Sequence, residues 1–356
     1  MLAAAAIELE RFPAQTTSSG EASAAPRAAR HTTMIVTATR FALGAAGMLQ
    51  RRLSIVLFHR VLPQPDPLLP DEPDAARFDE QVRWLADTFD ILPAGEAAAR
   101  LFAGRLPARA LSITFDDGYR DNALHALPVL QRHGVRATFF VTTRHLDGGM
   151  MWNDRVIAAV RAWPADSMDL GSDGLGVVNL ADRGAAVRDL LPRIKYLPPE
   201  EREALSTRLM RDSGAEDVRL MMNDEEIRTL HAAGMEIGGH TESHPILTAL
   251  PDDAARDEIV RNKATLEHII GAPVQTFAYP NGTPGRDYDE RHVAMLRDCG
   301  YRYALTTAKG TSSRSSDPLQ LPRFTPWDRQ RAKYLARMTL NYFSDPAHPA
   351  AAPRRS

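Results

Sequence analysis

The sequence predicts an α/β fold built on a parallel sheet, and three observations carry that reading. Short, continuous apolar runs of strand length recur, with residues 53–58 and 110–115 the clearest, as expected of strands buried on both faces. Between residues 110 and 142 the chain reads strand, helix, strand, the spacing of a βαβ unit, which joins parallel neighbours. Polar residues suited to chemistry stand where the apolar runs end, as they do at the C-terminal ends of barrel strands.

In chain order, the first 33 residues are rich in Ala, Ser and Thr, with Glu8 and Glu10 early. They lack the charged-then-apolar layout of a signal peptide. Residues 1–50 are expected to be a partly disordered extension, with a start upstream of Met34 as one explanation and a short amphipathic helix over 34–50 packing on the domain. The strand at 53–58 ends at His59-Arg60-Val61, and a Pro- and Asp-rich loop occupies 63–73. Residues 77–89 place Phe78, Val82, Leu85 and Phe89 on one helical face. The strand at 110–115 runs into Asp116-Asp117-Gly118; a helix over 122–133 closes at Gly134, and 137–142 is a third strand.

Residues 145–222 break the rhythm and read as a mainly helical insertion, including a helix over 199–211. The alternation then resumes. A helix over 224–233 is capped by Asn223 or Asp224, a strand at 235–237 leads to Gly238-Gly239-His240, and helices over 252–270 and 287–299 flank strands at 276–279 and 301–306. The catalytic domain is expected to span 51–330, followed by a helix and tail over 331–356, the tail disordered from Asp345.

Composition narrows the partners. Charged residues make up 25% of the chain and the formal net charge is -2, so nothing in the balance recruits nucleic acid or an anionic membrane. The single cysteine, Cys299, excludes an intramolecular disulfide, and no activating context marks it as a nucleophile. No apolar stretch reaches transmembrane length. The expectation is a cytoplasmic protein that works on precursors at the membrane face.

The chemistry concentrates at four strand ends: His59; Asp116-Asp117; His240 with His244; and Tyr279-Pro280-Asn281. Adjacent carboxylates repel unless a cation or a proton-transfer role separates them, and side-chain alternation lets two neighbours face different partners. One of the aspartates suits a metal and the other a proton, or both form a solvated turn. His240 and His244, four residues apart, meet on one side of a helical turn, a frequent metal-ligand spacing, or else are surface loop residues. One Asp with two His gives a three-ligand site with positions open to water and substrate, the layout of hydrolytic zinc.

Thr114-Phe115-Asp116-Asp117-Gly118 and His240-Thr241-Glu242-Ser243-His244-Pro245 resemble the first two motifs of the NodB-homology polysaccharide deacetylases, carbohydrate esterase family 4, over roughly residues 51–327. The resemblance implies a distorted (β/α) barrel of about seven strands carrying the insertion, Asp116 as general base, and Asp117, His240 and His244 as ligands of a divalent metal, zinc first. The third motif departs from the family: Ala278, before Tyr279-Pro280-Asn281, stands where an arginine orients the base. Arg323, in Leu321-Pro322-Arg323-Phe324, is either its replacement or a surface ion-pair partner. A backbone N–H near Asn281 is placed to meet an oxyanion.

The family's late histidine is also missing. Leu57-Phe58-His59-Arg60-Val61 resembles instead the N-terminal Tyr-His-x-Val segment of the poly-N-acetylglucosamine deacetylases, a permuted branch in which His59 would be the general acid; the alternative is a strand-end structural histidine. Trp152, Tyr279 and Trp327 are candidates to stack on sugar rings. The function these resemblances imply is N-deacetylation of an amino-sugar polymer or a lipid-linked precursor. A deformylase or amidase on another N-acyl group, and a catalytically dead glycan binder, are the competing readings.

Overall fold

The structure is a computed structural model, and it describes residues 51–344 other than Asp147 and Trp327, together with Thr37 and Thr39. The helix expected over 34–50 and the tail beyond Asp345 lie outside the described residues.

A parallel sheet dominates. Its strands are β1 (Ser54–Phe58), β2 (Asp90–Ile91), β3 (Ala110–Phe115), β4 (Thr138–Val141), β7 (Glu236–Gly239), β8 (Thr276–Ala278) and β9 (Tyr303–Leu305), in the order β1-β3-β4-β7-β8-β9, with β2 also on β3. The curl is closed by a strip too short to read as a strand in the sequence. Leu321 bridges β9 at Leu305, and Phe324 bridges β1 at Val56, both parallel. The sheet therefore wraps into the distorted (β/α) barrel with seven strands that the sequence predicts.

Side-chain alternation sorts the strands into two cores. Leu53, Ile55, Phe140, Ala278, Tyr303, Leu305 and Leu321 form one apolar cluster with Ala94, Ala97, Ala98 and Leu101 of α2 (Ala94–Phe102). Val56, Phe58, Phe115, Phe139 and Phe277 belong to the other, against the surrounding helices. Phe115 stacks on Phe139 at 4.7 Å and contacts Phe58 and Phe78 at 5.6 and 5.5 Å, the last from α1 (Ala75–Ala86).

The remaining helices are α3 (Leu127–Arg132), which follows a wide π turn at Asn122–Ala126, α7 (Asp224–Ala232), α8 (Asp252–Ile270), α9 (Glu290–Asp298) and α10 (Arg331–Phe343). Two ends show why the sequence stops them where it does. Asn223 caps α7 through Glu226 N–H while Glu226 returns a bond to Asn223 N–H. Gly271 ends α8 with φ of 65°, a conformation glycine adopts without a Cβ clash.

The insertion holds α4 (Trp152–Ala162), α5 (Arg183–Lys195) and α6 (Pro199–Ser213), and it also contains an antiparallel hairpin, β5 (Ser167–Leu170) with β6 (Gly176–Asn179), that the helical reading does not include. It buries its own core, with Val156, Val160, Met168, Leu190, Ile194 and Leu205 among its members. Leu68 of the Pro-rich loop belongs to that core too, so the insertion is tied to the barrel through the loop after β1. No helix among the described residues is long and apolar enough to cross a membrane.

Candidate active site

Asp116 and Asp117 follow β3, and their surroundings differ by one backbone feature. The N–H of Asp116 still donates to Phe58 O of β1 at 3.0 Å, so the residue keeps the alternation of Ser112 and Thr114. Its carboxylate meets Arg323, which follows the same alternation from Leu321 in the closing strip. The guanidinium holds both oxygens, at 2.6 and 2.8 Å, and its Nε donates to Thr306 O at 3.0 Å. Both residues are buried, Arg323 to 2% exposure and Asp116 to 3%. Burial alone would raise the Asp116 pKa, but Arg323 and His240 outweigh it and hold the carboxylate below its ordinary range.

Asp117 has left the strand. Its φ is 77°, and its carbonyl oxygen accepts from both the N–H and the hydroxyl of Thr142. The turn brings its carboxylate to the same side as that of Asp116. The two aspartates thus have different partners, as expected, but through this left-handed residue and not through strand alternation. Gly118 continues the turn at φ of 89°, and a Cβ there would lie 2.7 Å from Val141 Cγ1.

His240 and His244 bring their Nε2 atoms to 3.3 and 3.4 Å from Asp117 Oδ1. The segment joining them is an irregular loop with Thr241 and His244 both at positive φ, so the expectation of a helical turn is corrected: spacing alone does not produce the convergence. Hydrogen bonds to α8 and to the chain after β4 hold the loop. Glu258 of α8 accepts from Ser243 N–H and Oγ at 2.7 and 2.5 Å, and Asn262 accepts from His240 N–H at 3.0 Å while donating to Val141 O at 2.9 Å. His240 Nδ1 lies 2.7 Å from Ala278 O. A carbonyl can only accept, so Nδ1 carries a proton, and Nε2 is the nitrogen turned toward Asp117.

Asp117, His240 and His244 offer ligand atoms that all lie within 4.8 Å of one another. Burial, with like charge from His240 and Arg202, pushes the His244 pKa down to about 4 against the opposing pull of Asp117, so the ring is neutral at pH 7. Burial works against the Asp117 carboxylate, yet His244 and His240 hold it ionised well below the ordinary carboxylate range. A neutral His244 imidazole and an ionised Asp117 carboxylate are protonation states that suit a divalent metal, and the donor set of one carboxylate and two imidazoles fits one.

Of the four non-glycine residues with positive φ among those described, three are Asp117, Thr241 and His244; the fourth is Asn281, after β8. Such conformations cost energy and persist where surrounding contacts fix them, as at sites. Asn281 lines the cleft together with His59, Asp116, Asp117, His240 and His244, in a cavity of about 640 Å³. His59 stands at its edge with a side chain 43% exposed, 3.9 Å from Glu72 Oε1. Desolvation lowers its pKa, but Asp117, Glu72 and Asp116 outweigh that, and the net shift is upward.

Tyr279 corrects an expectation. Its ring is fully buried, stacked at 3.7 Å on Tyr288, and its hydroxyl donates to Leu319 O at 3.0 Å. It cannot stack on a sugar, and neither it nor the buried Pro280 lines the cleft. Trp152 does line it; Trp327 lies outside the described residues. Sequence reasoning missed Asn262, Glu258 and Asp154. Asn262 does leave a signal, a polar residue amid the buried stripe Ala255, Ile259, Leu266 and Ile269 of α8. Asp154 comes from the insertion, accepts from Tyr119 Oη at 3.2 Å, and is pushed up to about 7 mainly by burial.

The sequence pattern of the polysaccharide deacetylase family matches residues 103–193 and 199–304, more than half of the chain. The chain belongs to the polysaccharide deacetylase family. Members are hydrolases of carbon–nitrogen bonds other than peptide bonds. YxkH of Bacillus subtilis (strain 168), provisionally named a polysaccharide deacetylase, is 20% identical over 274 residues, 76% of this chain and 70% of YxkH. Among solved structures, the Streptococcus pyogenes deacetylase PplD in complex with acetate is similar over 82% of this chain and 99% of its own, with 17% identity and a TM-score of 0.55. IcaB from Ammonifex degensii is similar over 80% of this chain and 96% of its own, with 20% identity and a TM-score of 0.52. At these identities the structural likenesses bear on the fold.

Proposed function

We propose that this polysaccharide deacetylase removes N-acetyl groups from amino-sugar units of a glycan or a lipid-linked glycan precursor, with a divalent metal at Asp117, His240 and His244. The observation that carries the reading is the pairing of Asp116 with Arg323 directly beside that ligand set. A carboxylate, two imidazoles and an open side are the donor chemistry of catalytic zinc. When bound, such an ion would polarise the acetamide carbonyl and acidify a water.

The protein's own groups divide the proton transfers. Asp116 accepts the proton of the attacking water; Arg323 keeps the carboxylate ionised and fixed, and each oxygen retains a lone pair beyond the one it gives the guanidinium. The Asn281 backbone N–H, which has no hydrogen-bond partner among the described residues, is the candidate donor to the oxyanion. His59, whose pKa the surrounding carboxylates raise against the opposing effect of burial, gives its proton to the departing nitrogen. Water is thereby added across the C–N bond, and acetate and the free amine leave.

Metal-loaded protein should release acetate from N-acetylated oligosaccharides, and chelation should abolish it. Release of formate in place of acetate would move the assignment to a deformylase. A metal-saturated protein that frees no small acid from any N-acyl sugar would overturn it.

A further inference from the structure

The insertion and the loop after β8 supply one wall of the cleft, and that wall carries cations that no carboxylate among the described residues contacts directly. Lys195 and Arg286 line the same cavity as the metal-ligand set. Both lie against one ring, that of Tyr196, Arg286 at 4.1 Å and Lys195 at 5.3 Å. Arg202 stands behind them, over Trp152 at 5.2 Å, with its Nζ-bearing neighbour Lys195 receiving one 3.3 Å bond at its carbonyl oxygen. Arg202 is only 5% exposed, and its Nε has no hydrogen-bond partner among the described residues.

No carboxylate among the described residues comes within 4.0 Å of any of these three. Elsewhere in the insertion several arginines have a carboxylate partner: Arg155 pairs with Glu203 at 2.9 Å, Arg161 with Asp66 at 2.5 Å, Arg193 with Asp189 at 2.7 Å and Arg208 with Asp173 at 2.5 Å. Asp287 attracts Lys195 from farther off; it is buried to 1% exposure, accepts from Thr283 N–H through one oxygen, and its other oxygen has no hydrogen-bond partner among the described residues, but it makes no ion pair with Lys195. Glu203, the carboxylate that acts on Arg202, is held by Arg155. Like charges gathered without a counter-ion repel one another, and a partly buried one is poorly hydrated, so an anion entering there is bound strongly.

We infer that Lys195 and Arg286 form a subsite for an anionic oxygen group, a carboxylate or a phosphate, carried by the substrate beside the N-acetylated sugar. The inference takes the cleft as the sugar site from the proposed function. A neutral amino-sugar polymer gives these charges nothing to bind.

The test is calorimetric titration of metal-loaded protein with three ligands: neutral diacetylchitobiose, N-acetylglucosamine 1-phosphate, and a disaccharide of N-acetylglucosamine and glucuronate. At least one charged ligand should bind about tenfold more tightly than the neutral one, the size of one charge-assisted contact. The arm that does so identifies phosphate or carboxylate as the source. Lys195→Gln with Arg286→Gln, both changes at the cleft surface, should erase that preference and flatten its salt dependence. Equal binding of all three ligands by the unaltered protein would overturn the subsite. So would a preference that survives the double change, which would place the anion on the metal. Binding is read without turnover, so absence of acetate release would count against the deacetylation reading alone.

Discussion

The two walls of the cleft are built on different terms. On the barrel wall, Asp116 and the proposed ligand set are buried or pinned, Asp116 by Arg323, His240 by Ala278 O, and the His240–His244 loop by Glu258 and Asn262, while His59 at the rim stays half exposed. On the insertion wall, Trp152, Lys195 and Tyr196 are half-buried or exposed; Lys195 meets the ring face of Tyr196 and Arg202 that of Trp152. Rigid, over-determined groups suit bond making, where a small misplacement is costly; looser surface groups suit recognition of a variable partner. The difference assigns reaction to the barrel and choice of substrate to the insertion.

The division can be broken most directly at the barrel wall. His244→Ala should abolish bound metal and acetate release together, measured by metal stoichiometry and product assay; full metal content would remove His244 from the ligand set. Asp116→Asn should keep the metal and lower kcat by about 10²- to 10⁴-fold, the usual contribution of a positioned base. Retained wild-type kcat would end its role.

Arg323→Met leaves Asp116 as a buried, unpaired carboxylate and should cost about 3–5 kcal/mol of stability in denaturant titration. Its pH signature has a fixed sign. Arg323 lowers the Asp116 pKa, so its loss raises that pKa, and the acid limb of kcat/KM should move to higher pH. Glu72→Gln tests the edge of the cleft. Glu72 raises the His59 pKa, so removing its charge should shift the alkaline limb to lower pH with little change at the plateau. An unmoved limb would separate His59 from the acid role. The smallest effect belongs to the insertion wall: Trp152→Ala should raise KM several-fold, about the worth of one aromatic contact, and leave kcat nearly unchanged. A fall in kcat as large as that of Asp116→Asn would erase the contrast between the walls.

What the sequence made legible was whatever local pattern controls. The strand at Ala110–Phe115 and the helix at Asp252–Ile270 match their apolar periodicities to the residue. The convergence of Asp116, Asp117, His240 and His244 followed from motif order. What local pattern does not control was missed or misplaced. The closing strip makes single bridges in place of a ladder, so it has no strand-length signature. The left-handed turn at Asp117 depends on Thr142, far along the chain. Tyr279 sits in a motif that reads as a cleft residue, yet Tyr288 lies against it and takes it inward. The hairpin β5–β6 alternates buried and exposed over only four residues, too short to stand out beside its helical neighbours.

The closing strip also sets an order of assembly. Asp116 and Arg323 are 207 residues apart, and the same few residues that seal β9 to β1 deliver the guanidinium. A chain emerging from the ribosome presents Asp116, its adjacent carboxylate and both histidines long before their counter-charge exists. Loop closure over such a span is slow and comes late. The finished barrel and the Asp116–Arg323 pair therefore arrive in one event, and a nascent or nicked chain ending before Arg323 would carry the proposed ligand set without the guanidinium that pairs with the proposed base.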